Sequence, residues 1–86
     1  MIRYLEYHNE AENSHKFWTA HVIEGIPPYA NGVKTTFGRV GTKGQVNKKY
    51  FDSEEEAIAY LDKKTSQKLA KGYKSDFAIK GFPETF

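Results

Sequence analysis

The sequence predicts an α+β fold, a twisted antiparallel sheet of about four to five strands with one long helix packed on one face. Three observations lead there. Several stretches ahead of Ser53 alternate apolar and polar residues with period two, glycines and prolines break the chain between them, and a single helical stretch with both ends marked follows Ser53.

Ile2 to His8 is the first strand, with Ile2, Tyr4, Glu6 and His8 alternating against Arg3, Leu5 and Tyr7. Asn9 to Ser14 is a polar connection. The second strand, Lys16 to Glu24, places Phe17, Thr19, His21 and Ile23 on one face and Trp18, Ala20, Val22 and Glu24 on the other. Large apolar groups on both faces mark it as central. Gly25 to Gly32 reads as a loop, because Pro27 and Pro28 cannot donate to a central ladder and Asn31-Gly32 favours a turn. The next strand turns Val33, Thr35, Phe37 and Arg39 to one side and Lys34, Thr36, Gly38 and Val40 to the other. A glycine turn, Gly41 to Gln45, and a short strand around Lys48 to Phe51 complete a meander.

Ser53 and Glu56 form a capping box, and Glu54, Glu55 and Glu56 suit the positive end of the helix dipole. Ala57, Ile58, Tyr60, Leu61, Thr65 and Leu69 make the expected buried stripe. Lys63, Lys64, Lys68 and Lys71 occupy the last turns. Gly72 stands where a left-handed residue ends a helix, and Tyr73 can close that end against the core. Beyond it, Phe77, Ile79, Phe82 and Phe86 are spaced for a last strand or an apolar tail lying across the core.

The chain of 86 residues is expected to form one domain. Such a short chain buries only about 60% of its unfolded surface, so its core must be rich in large side chains. Six Phe, six Tyr and one Trp supply them. The absence of Cys excludes disulfides and thiolate metal sites and fits a reducing compartment. No run of about 18 apolar residues is present, so neither a membrane span nor a membrane partner is expected. The N-terminus alternates from Arg3 onward rather than forming a signal peptide, which makes the cytoplasm the default location. A monomer is the expected state. The formal net charge of +2 is unevenly spread, with Arg3 and Lys16 the only basic residues before Lys34. That asymmetry suggests a basic face and an anionic partner, although solvated lysines also occur on surfaces without one.

Thr35 to Gln45 is the stretch on which function centres. Phe37 and Arg39 share a face, pairing a flat ring with an anion-seeking fork, while Gly38 leaves the opposite face open to a close backbone or ligand. Gly41 and Gly44 can take positive φ, so the turn's N–H groups could converge on an anion beside Lys43. The structural alternatives are ordinary: a strand aromatic fills cores, and two glycines close hairpins. Gly41 and Gly44 are too close for a phosphate loop.

Catalysis finds no support. His15 and His21 would stand about 20 Å apart on an extended strand and cannot share a metal. No Ser-His-Asp arrangement is suggested, and Glu54 to Glu56 are accounted for by helix capping. Neither a metal nor any other cofactor is expected.

The segments Lys16-Phe17-Trp18, Phe37-Gly38-Arg39-Val40-Gly41-Thr42-Lys43-Gly44-Gln45, then Phe51, Ser53 and Glu55-Glu56-Ala57, and finally Lys68-Leu69-Ala70-Lys71-Gly72-Tyr73 resemble a WGR domain, in order and spacing, over most of the chain. The likeness is to bacterial forms that often stand alone. The family is named for a Trp-Gly-Arg triplet also found in DNA-dependent poly(ADP-ribose) polymerases. There the triplet aromatic meets the terminal nucleotide at a DNA break, other side chains lie near the backbone or 5′ phosphate, and the domain relays contact to its neighbours. The resemblance places those roles on Phe37 and Arg39. Phe37 replaces the family's Trp and lacks an indole N–H. His15, with Asn13 nearby, stands where the polymerases carry an Asn. The resemblance does not extend to an ADP-ribosyl transferase domain, so no catalysis is expected to carry over with it.

The resemblance implies a non-catalytic module that binds DNA ends or other nucleic acid through Phe37, Arg39, Lys43, Gln45, Lys48, Lys68 and Lys71. Trp18, Gly38, Gly41, Gly44, Gly72 and Tyr73 are its structural framework. The alternative is a protein-docking module that binds no nucleic acid.

Overall fold

The computed structural model describes residues 2–75. Four strands, β1 (Ile2–Asn9), β2 (Ser14–Glu24), β3 (Asn31–Arg39) and β4 (Gln45–Phe51), precede a helix, α1 (Glu54–Ala70). The strands form an antiparallel sheet in the order β1-β2-β3-β4, an open meander that bears out the α+β expectation. One turn of 3₁₀ helix, Glu10–Glu12, joins β1 to β2. Its Asn9 side chain accepts from the Glu12 N–H, and Asn13 closes it in a left-handed conformation.

Register decides which face α1 covers. Leu5, Trp18 and Phe37 lie in one row across β1, β2 and β3, and Ala20 faces Thr35 in the next. Leu5, Trp18, Ala20 and Val33 are buried with Ala57 and Leu61 of α1, so the helix lies on this face. Val22, Phe51, Tyr60 and Tyr73 pack around that core. The Thr35 hydroxyl, also buried, donates to the Asn47 carbonyl, which removes the cost of placing it there.

Both helix ends form as the sequence predicts. The Ser53 hydroxyl accepts from the Glu56 N–H at 3.2 Å. At the other end Tyr73 N–H donates to Lys68 O and Gly72 N–H to Leu69 O, each at 3.1 Å, with Gly72 at φ 102°. This paired arrangement satisfies carbonyls that the helix leaves open. Tyr73 then packs on Tyr7 with ring centroids 5.5 Å apart, and Lys74 exchanges backbone hydrogen bonds with Glu6 on the outer edge of β1.

Three expectations are corrected. Asn31 and Gly32 belong to β3, pairing with Phe51 and Tyr50, so the loop ends at Ala30. β4 begins at Gln45 rather than near Lys48, because Gln45, Val46 and Asn47 pair with Phe37, Thr36 and Thr35. Leu69 is 46% exposed. At about 100° per residue, Lys68 returns to the azimuth of Leu61 while Leu69 overshoots it by about 80°. The segment holding Phe77, Ile79, Phe82 and Phe86 lies outside the described residues.

Candidate nucleic-acid interface

Phe37 and Arg39 project on the helix side of the sheet, near its end beyond the buried core. Phe37 is 38% exposed although Trp18, its ladder partner, is 3% exposed. Gln45 flanks Phe37 from β4. Directly across from Arg39 on β2 is Lys16, a juxtaposition of like charges that destabilises a ladder unless an anion or solvent screens it.

Lys16 links this strand end to the helix terminus. Together with Tyr7, Glu12, Lys68, Lys71 and Tyr73 it lines a depression of about 310 Å³. Its ammonium stands 5.7 Å from the Tyr7 ring centre, and that of Lys68 stands 5.1 Å from Tyr73. The stems thus rest on aromatic surface while the charges reach outward. Burial, and then the ammonium groups of Lys71, Lys64 and Lys16, hold Lys68 below the usual lysine range. Among the described residues the side-chain ion pairs are Arg3–Asp62 and His8–Glu6, neither of which touches this cluster. The helix C-terminal dipole favours cations here, so part of the cluster is structural.

The other predicted residues are placed differently. Lys43 lines a groove on the face turned away from α1, and Lys48 pairs across the ladder with Lys34 on that same face. The seven predicted binding residues therefore divide. Phe37, Arg39 and Gln45 share a face with Lys16 and the Lys68 and Lys71 terminus, whereas Lys43 and Lys48 sit behind the sheet. Lys16 is the residue that sequence reasoning left out of the site. Its parity with Trp18 is legible in β2, but its meeting with Lys68 depends on where the helix ends.

The glycine turn has its own geometry. Gly41 and Gly44 have φ of 93° and 74°. A β-carbon at Gly38 would stand 2.8 Å from Gly44 Cα, so the turn itself folds over the bare face of Gly38. Thr42 caps it, donating to Arg39 O through its N–H at 3.1 Å and its hydroxyl at 2.8 Å. That N–H is thereby committed to the chain rather than to an anion.

His8 and His15, opposite one another on β1 and β2, approach to 2.6 Å between Nδ1 atoms, and His8 Nε2 meets the Glu6 carboxylate at 2.7 Å. Among the described residues no group of three or more His, Asp or Glu side chains is arranged to hold a metal ion. No helix of the described residues is long and apolar enough to cross a membrane.

A family model for the WGR domain matches residues 1–78. The uncharacterized protein YfeS of Escherichia coli (strain K12) is 33% identical over 70 residues, covering 81% of this chain and 25% of YfeS. The chain thus spans about a quarter of the length of that curated relative. No solved structure matches.

Proposed function

The chain belongs to the WGR domain family, and from that premise we propose that it is a non-catalytic module that binds the ends of duplex DNA on the helix side of its sheet. The observation that carries this reading is the exposed Phe37 ring beside Arg39, on a face that continues through Lys16 to Lys68 and Lys71. The ring stacks on the exposed face of a terminal nucleotide, as the family resemblance implies. A base–aromatic stack contributes roughly 1–3 kcal/mol. Arg39 and the lysines then meet the phosphates that follow the terminal nucleotide, releasing counterions from the DNA.

Two features support an anionic partner over a neutral one. Arg39 and Lys16 face each other across the ladder. The Lys68 cluster concentrates ammonium groups on a partly buried patch. A phosphate backbone relieves both repulsions, whereas a neutral docking partner would deepen them by desolvation.

Titration of a labelled blunt duplex, with and without a 5′ phosphate and at two salt concentrations, tests the proposal. Binding that favours the phosphorylated end and weakens steeply with salt is the expected result, with a log–log slope near −0.9 for each phosphate neutralised. Absence of binding at low salt would leave protein docking as the better account.

A further inference from the structure

The face turned away from α1 carries a second concentration of positive charge. Lys34 on β3 and Lys48 on β4 are ladder partners, so two ammonium groups stand in one row, and His21 on β2, held in its neutral form by burial and then by Lys34, pairs with Lys34 beside them. Opposed like charges weaken an antiparallel pair, and neither ion pair among the described residues reaches this row. Beside it lies a groove of about 490 Å³, a size typical of small-molecule sites. Its aromatic wall is Tyr4 and Phe17, whose rings lie 5° from parallel with centroids 6.4 Å apart. The Tyr4 hydroxyl donates to the Glu6 carboxylate, which fixes the orientation of that ring. Lys43 reaches the same groove because the glycine turn folds over Gly38. Among the described lining residues none carries a carboxylate.

An aromatic wall joined to two lysines, with hydroxyls at Thr19 and Thr36, suits a ligand that is flat and aromatic at one end and anionic at the other. We infer that this groove binds a nucleoside phosphate, with the base against Tyr4 and Phe17 and the phosphate between Lys34 and Lys43. The site is separate from the proposed DNA-end surface. Phe17 pairs with Gly38 and faces away from α1, while Phe37, one residue earlier, faces toward it.

The test is a titration of isotopically labelled protein, followed by amide NMR, with adenosine 5′-monophosphate, adenosine and inorganic phosphate as separate probes. The nucleotide is expected to move the signals of Phe17, Thr36 and Thr42 and to bind more tightly than either part alone. Phe17→Leu, which keeps bulk beside Gly44 but removes the ring, and Lys34→Gln should each weaken nucleotide binding by about fivefold or more. Both should leave affinity for a 5′-phosphorylated duplex unchanged, whereas Phe37→Ala should do the reverse. A 5′-phosphorylated tetranucleotide distinguishes the source of the ligand: tighter binding than the mononucleotide assigns the groove to a strand terminus, and equal binding assigns it to free nucleotide. Shifts confined to Phe37, Arg39 and Lys68, or inorganic phosphate matching the nucleotide in affinity, would overturn the assignment.

Discussion

Phe37 and Trp18 face one another across the β2–β3 ladder, yet Trp18 is sealed beneath α1 and Phe37 stands more than a third exposed. Loss of the two rings should therefore have different consequences. Trp18→Ala removes a buried ring and is expected to cost on the order of 3–5 kcal/mol. Phe37→Ala should cost less than about 1.5 kcal/mol and leave a folded domain. Denaturant unfolding of the two variants measures the difference, and comparable losses would show that Phe37 is core rather than surface.

Gly38 depends on Gly44. With Gly44 Cα only 2.8 Å from where a β-carbon would stand, and with backbone rather than a flexible side chain in the way, Gly38→Val must displace the turn. The expected loss is on the order of 1–3 kcal/mol. A melting temperature equal to that of the parent would contradict the packing described.

On the proposed DNA-end surface, Lys68 would set stability and binding in opposition. Its folded value lies below the ordinary 10.5, so folding favours the neutral amine. The associated stability is full above the unfolded value and is lost as pH falls through the folded one. At neutral pH the charged group therefore carries desolvation and lysine repulsion that offset the favourable helix dipole. Lys68→Gln should leave the melting temperature unchanged or slightly higher while lowering the DNA salt slope by about one. A lower melting temperature combined with an unchanged slope would mark Lys68 as purely structural.

The helix face is tested by two leucines. Leu61 is fully buried, and Leu61→Ala should cost about 2–5 kcal/mol. Leu69→Ala, eight residues later on an exposed azimuth, should change stability by less than about 0.5 kcal/mol. The reverse order in denaturant unfolding would mean that the helix is turned differently.

These residues also show what the sequence carried. Alternation located β1, β2 and most of β3, the glycine turn pointed to β4 without its first residues, and Ser53 with Glu56 and Gly72 with Tyr73 marked the helix ends through local hydrogen bonding. Alternation does not say which face a helix covers. Phe17 and Trp18 are equally apolar, and only the joint burial of Trp18 with Leu61 distinguishes them. Asn31-Gly32 favours a turn locally, but pairing with Phe51 and Tyr50 overrides that preference. Phe37 and Arg39 were legible as one surface through strand parity, whereas Gln45, read as part of the glycine turn, joins them only through the β3–β4 register. Lys16 meeting Lys68, and Lys43 passing behind the sheet, depend on long-range packing and on the fold of the glycine turn.

The most direct measurement of the DNA-end assignment is the affinity of folded Phe37→Ala and Arg39→Ala variants for a 5′-phosphorylated blunt duplex, read beside the parent at two salt concentrations. Phe37→Ala is predicted to weaken binding by roughly 1–3 kcal/mol with little change in salt slope, as expected for a lost base stack. Arg39→Ala is predicted to weaken binding and reduce the slope by about one, as expected for a lost phosphate contact. Parent-like affinity in both variants would contradict the assignment.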